Sequence, residues 1–60
     1  MPLVFIKLYE GRTVEQKRKA AKAITDIIVE TLGTTAEHTQ VIFEDTKKND
    51  WAIAGELQGQ

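Results

Sequence analysis

One amphipathic stretch, residues 14 to 32, stands between two short runs of β-branched and aromatic residues, which leaves this chain few folds to choose from. Leu3 to Tyr9 is apolar except for Lys7, and Val4, Phe5 and Ile6 favour extended backbone. Glu10-Gly11-Arg12 breaks that run. Thr13-Val14-Glu15-Gln16 then fits a capping box, in which the Thr13 hydroxyl and the Gln16 side chain satisfy backbone N–H groups at a helix start. Beyond it, Ala20, Ala21, Ile24, Ile27, Ile28, Thr31 and Leu32 recur at helical spacing, with Glu15, Lys19, Lys22 and Asp26 on the wet side. Gly33 suits the left-handed residue that ends a helix. Thr34 to Glu37 predicts one short turn. Thr39 to Glu44 carries Val41, Ile42 and Phe43 and reads as a second strand. Asp45 to Asp50 reads as polar loop, Trp51 to Gly55 as a short apolar return or hairpin arm, and Glu56 to Gln60 as a loose tail.

Strand, helix, strand implies two parallel strands joined by a right-handed crossover, an α/β (α+β) unit with a short C-terminal hairpin. Parallel sheets are normally covered on both faces, yet this chain has one helix to cover one face. Two paired strands are also marginal alone in water. The second face and both sheet edges therefore call for protein from other chains, and a homo-oligomer follows from the element count.

Size points the same way. Sixty residues make a single domain, 1–60, too small to rely on its own core. No cysteine is present, so disulfides and thiolate metal sites are excluded, and His38 has no neighbouring histidine for zinc. No metal and no cofactor is expected. A net charge of −1 offers no broad basic footprint for nucleic acid. No apolar run approaches the roughly 20 residues of a membrane helix. Charges begin at Lys7 and no cleavage pattern follows, so no secretory signal is read and the expected location is cytoplasmic.

Pro2 is the first candidate for chemistry. Proline is tolerated as the first residue of a strand, and it is small enough for the methionine in front of it to be trimmed. Trimming Met1 would leave a free secondary amine on a strand leading into the core. An α-amine titrates near 8, and desolvation or a nearby cation lowers that value toward neutrality, where the neutral amine is a competent base. Arg12 is the second candidate: its guanidinium suits bidentate capture of a carboxylate, beside the partial positive charge of a helix start. The plainer alternative is a solvated loop arginine, or one paired with Glu10 or Glu15. Trp51 could wall an apolar pocket or anchor a subunit contact. Arg18 reads as solvated surface or an intersubunit salt bridge, the lysines from Lys17 to Lys22 as a solvated face, and His38 as a turn residue.

Three stretches together resemble the tautomerase superfamily, specifically the short-chain 4-oxalocrotonate tautomerase family. They are Met1-Pro2 with its strand, Glu10-Gly11-Arg12-Thr13-Val14-Glu15-Gln16-Lys17, and Trp51-Ala52-Ile53-Ala54-Gly55-Glu56. The resemblance implies β-α-β subunits that pair into four-stranded sheets, with three such dimers forming a hexamer. It implies a processed Pro2 that moves a proton between carbon and oxygen of an enol or ketone, with no metal or cofactor. It implies Arg12 as binder of a small-molecule carboxylate substrate and Trp51 as the wall that keeps Pro2 dry. One position departs from the pattern. Gln40 stands where well-studied members carry a second arginine, so a carbonyl would receive a neutral hydrogen bond, worth about 1 kcal/mol, in place of a charge-assisted one worth roughly 1.5–3 kcal/mol. Lys7 or Lys47 could supply a cation from a neighbouring chain. The expected activity is keto–enol tautomerisation of a 2-oxo or 2-hydroxydienoate acid. The alternatives are a proline-dependent hydratase, dehalogenase or decarboxylase, and a non-catalytic oligomer that binds a metabolite or partner.

Overall fold

The computed structural model describes residues 2–59; Met1, and with it the expected trimming step, lies outside the described residues, as does Gln60. Strand β1 spans Leu3–Tyr9, helix α1 Val14–Leu32 and strand β2 Gln40–Thr46. A hairpin of two short strands follows, β3 at Ala52–Ile53 and β4 at Glu56–Leu57. Single 3₁₀ turns at Ala36–His38 and Lys48–Asp50 fill the connections, so His38 is indeed a turn residue. None of the described helices is long and apolar enough to cross a membrane.

Strands β1 and β2 pair in parallel, from Leu3 opposite Gln40 to Tyr9 opposite Thr46. The second strand runs two residues beyond the expected Glu44. The ladder carries it there: Asp45 and Thr46 pair with Leu8 and Tyr9, and the Thr46 carbonyl accepts the Glu10 N–H at 3.0 Å. The tail also differs from expectation. Glu56 and Leu57 pair antiparallel with Ile53 and Ala52, so the segment after Gly55 is the second arm of the hairpin.

The helix ends are as the sequence implies. Thr13 Oγ1 accepts the Gln16 N–H at 3.1 Å, and Gln16 Oε1 accepts the Thr13 N–H at 2.9 Å. Gly33 takes the left-handed conformation at φ 68° and donates to the Val29 carbonyl. Half-buried residues along the helix include Ala20, Ala21, Ile24 and Ile28, and those on the sheet include Val4, Ile6, Leu8, Val41 and Phe43. The alternation along both strands places these sheet residues on one face.

The opposite face carries Leu3, Phe5 and Ile42, which are 55%, 57% and 45% exposed. No described residue is buried in the single chain. Its surface is 4698 Å², against about 3,900 Å² for a compact monomer of this mass. The radius of gyration, 14.3 Å, likewise exceeds the ~10 Å of a compact domain of this length. Two strands and one helix make a layer, one face of which is uncovered.

Candidate active site

The backbone sorts the four candidate residues into two pairs. Pro2 directly precedes β1, and its carbonyl accepts the Gln40 N–H at 3.0 Å. The two residues therefore share the starting end of the parallel sheet. Arg12 and Trp51 belong to the other end. Arg12 lies three residues past the end of β1, in a turn that Gly11 opens at φ 122°, a conformation that glycine adopts without penalty. Trp51 packs on Tyr9, the last residue of β1, with ring centroids 4.7 Å apart and planes at 66°, an edge-to-face contact.

Seven residues of strand separate the pairs, roughly 20 Å at the usual rise, beyond the reach of an arginine side chain. Within one chain, the structure brings Pro2 to Gln40 and Trp51 to the Arg12 end. It does not bring Pro2 to Arg12 or to Trp51.

At the Trp51 end the neighbours are polar and aromatic. Lys48 Nζ sits 5.4 Å from the Tyr9 ring centroid, and the Trp51 N–H donates to the Lys48 carbonyl at 3.2 Å. On the hairpin side, Gln58 N–H donates to the Trp51 carbonyl at 2.9 Å. Trp51 is half-buried and borders a cleft of about 210 Å³ with Lys7, Thr46, Asp50 and Ala52. Lys7 is bound to Glu44 at 2.9 Å on the uncovered sheet face. Lys47 borders a separate cleft of about 290 Å³ with Glu10, Lys48, Asn49 and Gly59.

Arg12 is exposed, and among the described residues it makes no ion pair, either with Glu10 or with Glu15. Glu15 instead meets Arg18 at 3.3 Å, an exposed contact one turn along the helix. Lys17 departs from the expected wet face: it is half-buried and bonded to Asp45 at 2.6 Å. Among the described residues, no three His, Cys, Asp or Glu side chains converge as a metal site would require. Tyr9 and Lys48 were not legible as site neighbours, although Tyr9 closes an otherwise apolar strand two residues before Gly11.

This strand–helix–strand fold recurs in known proteins. The family model described as tautomerase enzyme matches residues 2–60. The chain belongs to the tautomerase family. A probable tautomerase of Ralstonia nicotianae is 45% identical over 60 residues, covering 100% of this chain and 92% of the relative. The 2-hydroxymuconate tautomerase of Bacillus subtilis is 42% identical over 55 residues, covering 92% and 89%. Among solved structures, YwhB, a homologue of 4-oxalocrotonate tautomerase, superposes with a TM-score of 0.91 at 38% identity, covering 95% of this chain and 93% of that one. This tautomerase is thus an isomerase by family, of the 4-oxalocrotonate tautomerase type.

Proposed function

We propose that the protein is a cofactor-independent keto–enol tautomerase of small 2-oxo and 2-hydroxydienoate acids, with the Pro2 amine, freed by removal of Met1, as general acid and base. The observation that carries this is the bond from Gln40 N–H to the Pro2 carbonyl, which ties Pro2 to the end of the sheet next to Gln40. In the forward direction the Pro2 nitrogen takes the proton of the 2-hydroxyl. The oxygen electron pair then closes the C2 carbonyl, the double bond shifts, and the prolinium returns its proton to C3 or to the vinylogous carbon C5. Gln40 donates a hydrogen bond to the carbonyl oxygen, where negative charge develops. Arg12 holds the substrate carboxylate and Trp51 excludes water.

Because Pro2 and Arg12 lie at opposite ends of one chain, each complete site takes Pro2 and Gln40 from one copy and Arg12 and Trp51 from another. A two-fold pairing that sets sheet edges antiparallel lays the head of one sheet beside the far end of its partner. The open face, with Leu3, Phe5 and Ile42, is covered by further copies, which supports a hexamer of three dimers. We place the protein in the cytoplasm.

The test is the pH dependence of kcat/KM for the mature, trimmed protein. A base in its neutral form requires activity to rise with pH through the amine's titration, with the limb below the ~8 of an ordinary α-amine. A variant that retains Met1, and so holds the Pro2 nitrogen as an amide without basicity, should lose at least two orders of magnitude of rate, the usual scale of acid–base catalysis. Wild-type activity in that variant would refute the mechanism.

A further inference from the structure

We propose that Asp45, through its ion pair with Lys17, is a positioning residue for Arg12 and so tunes the affinity of the site for the substrate carboxylate; this rests on the proposed carboxylate-binding role of Arg12. The structure holds four ion pairs among the described residues, and three of them stay within one layer. Lys7–Glu44 joins the two strands, while Arg18–Glu15 and Lys22–Asp26 lie along the helix. Lys17–Asp45 alone joins helix to sheet, and no side-chain hydrogen bond among the described residues does so elsewhere.

Its place in the chain gives the pair its consequence. Lys17 lies in the first turns of α1, and its N–H donates to the Thr13 carbonyl at 3.1 Å. Thr13 is the helix cap, and Arg12 directly precedes it. On the sheet side, Asp45 stands opposite Leu8, and the next carbonyl, that of Thr46, accepts the Glu10 N–H at 3.0 Å. The Glu10-Gly11-Arg12-Thr13 turn is thus tied on either side to two adjacent residues of β2. One hold is Glu10 on Thr46, the other Lys17 on Asp45. Gly11, at φ 122°, lies between them and offers little resistance of its own.

Among the described residues, no other side-chain hydrogen bond or ion pair between helix and sheet is directional. Apolar contact is proportional to area and indifferent to orientation, and nearest Lys17 this helix face offers only Ala20 and Ala21. A helix held only that way can slide or roll slightly at low cost, carrying Arg12 with it. A charge pair at 2.6 Å, with Lys17 25% and Asp45 41% exposed, selects one placement. Being partly solvated, it adds little to overall stability, so its loss should register in carboxylate placement rather than in folding.

The test is a mutant cycle on the trimmed protein with a 2-hydroxydienoate acid as substrate. Asp45→Asn and Lys17→Met should each raise KM about five- to tenfold, with kcat within about twofold of wild type and the mass of the assembly unchanged. Lys17→Arg should keep KM near wild type. In an Arg12→Ala background, Asp45→Asn should change KM no further, because the residue it positions is gone. An unchanged KM in Asp45→Asn, an equal rise with and without Arg12, or loss of the assembly in both single variants overturns the inference and leaves the tautomerase reading standing. A wild-type KM in Arg12→Ala itself refutes the carboxylate role, and both fall together.

Discussion

The backbone N–H of Gln40 donates to the Pro2 carbonyl oxygen at 3.0 Å, which seats the two residues side by side at the head of the parallel sheet. Residue 40 is therefore next to the proposed base, and in the proposed mechanism its side chain sets how much positive charge meets the substrate there. Exchanging a neutral donor for a guanidinium upgrades a bond of about 1 kcal/mol to one of roughly 1.5–3 kcal/mol. Gln40→Arg should raise kcat/KM for a dicarboxylate such as 2-hydroxymuconate about tenfold and change a monocarboxylate less. Steady-state kinetics on both substrates checks this. No gain with the dicarboxylate would mean that residue 40 does not face the reacting carbonyl.

The separation of Pro2 from Arg12 by the length of β1 gives a sharper test of the shared site. At substrate concentrations well below the KM of Arg12→Ala, Pro2→Ala and Arg12→Ala homo-oligomers should both turn over far more slowly than wild type. Denatured together in equal amounts and refolded, they should recover about one quarter of wild-type activity, because random pairing gives that share of sites an intact proline and an intact arginine. A site built within one chain would recover none. Activity of the refolded mixture, normalised to refolded wild type, distinguishes the two.

Most of the fold was legible because its signals are local. Thr13 with Gln16 marked the helix start and Gly33 its end, each by a bond or backbone angle that the nearest residues decide. Non-local partners hid the rest. Asp45 looks like loop beside Thr46 and Lys47, yet it continues the alternation of Val41 and Phe43 because β1 supplies a ladder and Lys17 a counter-charge. Glu56 and Leu57 form a strand only because Ala52 and Ile53 turn back on them. The candidates Pro2, Arg12, Gln40 and Trp51 were readable as residues. Their division between two ends of the sheet was not, since it depends on strand direction and length.

The uncovered sheet face predicts how the assembly fails. Phe5, 57% exposed, lies opposite Ile42 in the ladder, between the Leu3–Gln40 and Lys7–Glu44 pairs on the same face. Burying a phenylalanine contributes about 1.5–3 kcal/mol, whereas burying an unpaired carboxylate costs several. Phe5→Asp should therefore convert the oligomer to monomer or unfolded chain at micromolar concentration, with activity lost in parallel. Analytical ultracentrifugation reads the mass directly. An intact oligomer would show that another surface holds the copies together.

The hairpin after Trp51 offers a last prediction, on rigidity. Ile53 pairs with Glu56, leaving Ala54 and Gly55 as a two-residue turn with φ of 53° and 83°. Positive φ at both central positions defines a type I′ turn, for which Asn-Gly is favoured and alanine carries a left-handed penalty of roughly 1 kcal/mol. That turn supports Trp51, because Gln58 N–H closes the hairpin on the Trp51 carbonyl at 2.9 Å. Ala54→Asn should stabilise the closed hairpin by about 1 kcal/mol, which corresponds to roughly fivefold slower hydrogen exchange at the Gln58 amide. Ala54→Gly should give a smaller gain, since glycine also adds freedom to the open state. Faster exchange in the asparagine variant would show that residue 54 is not held in the left-handed region in solution.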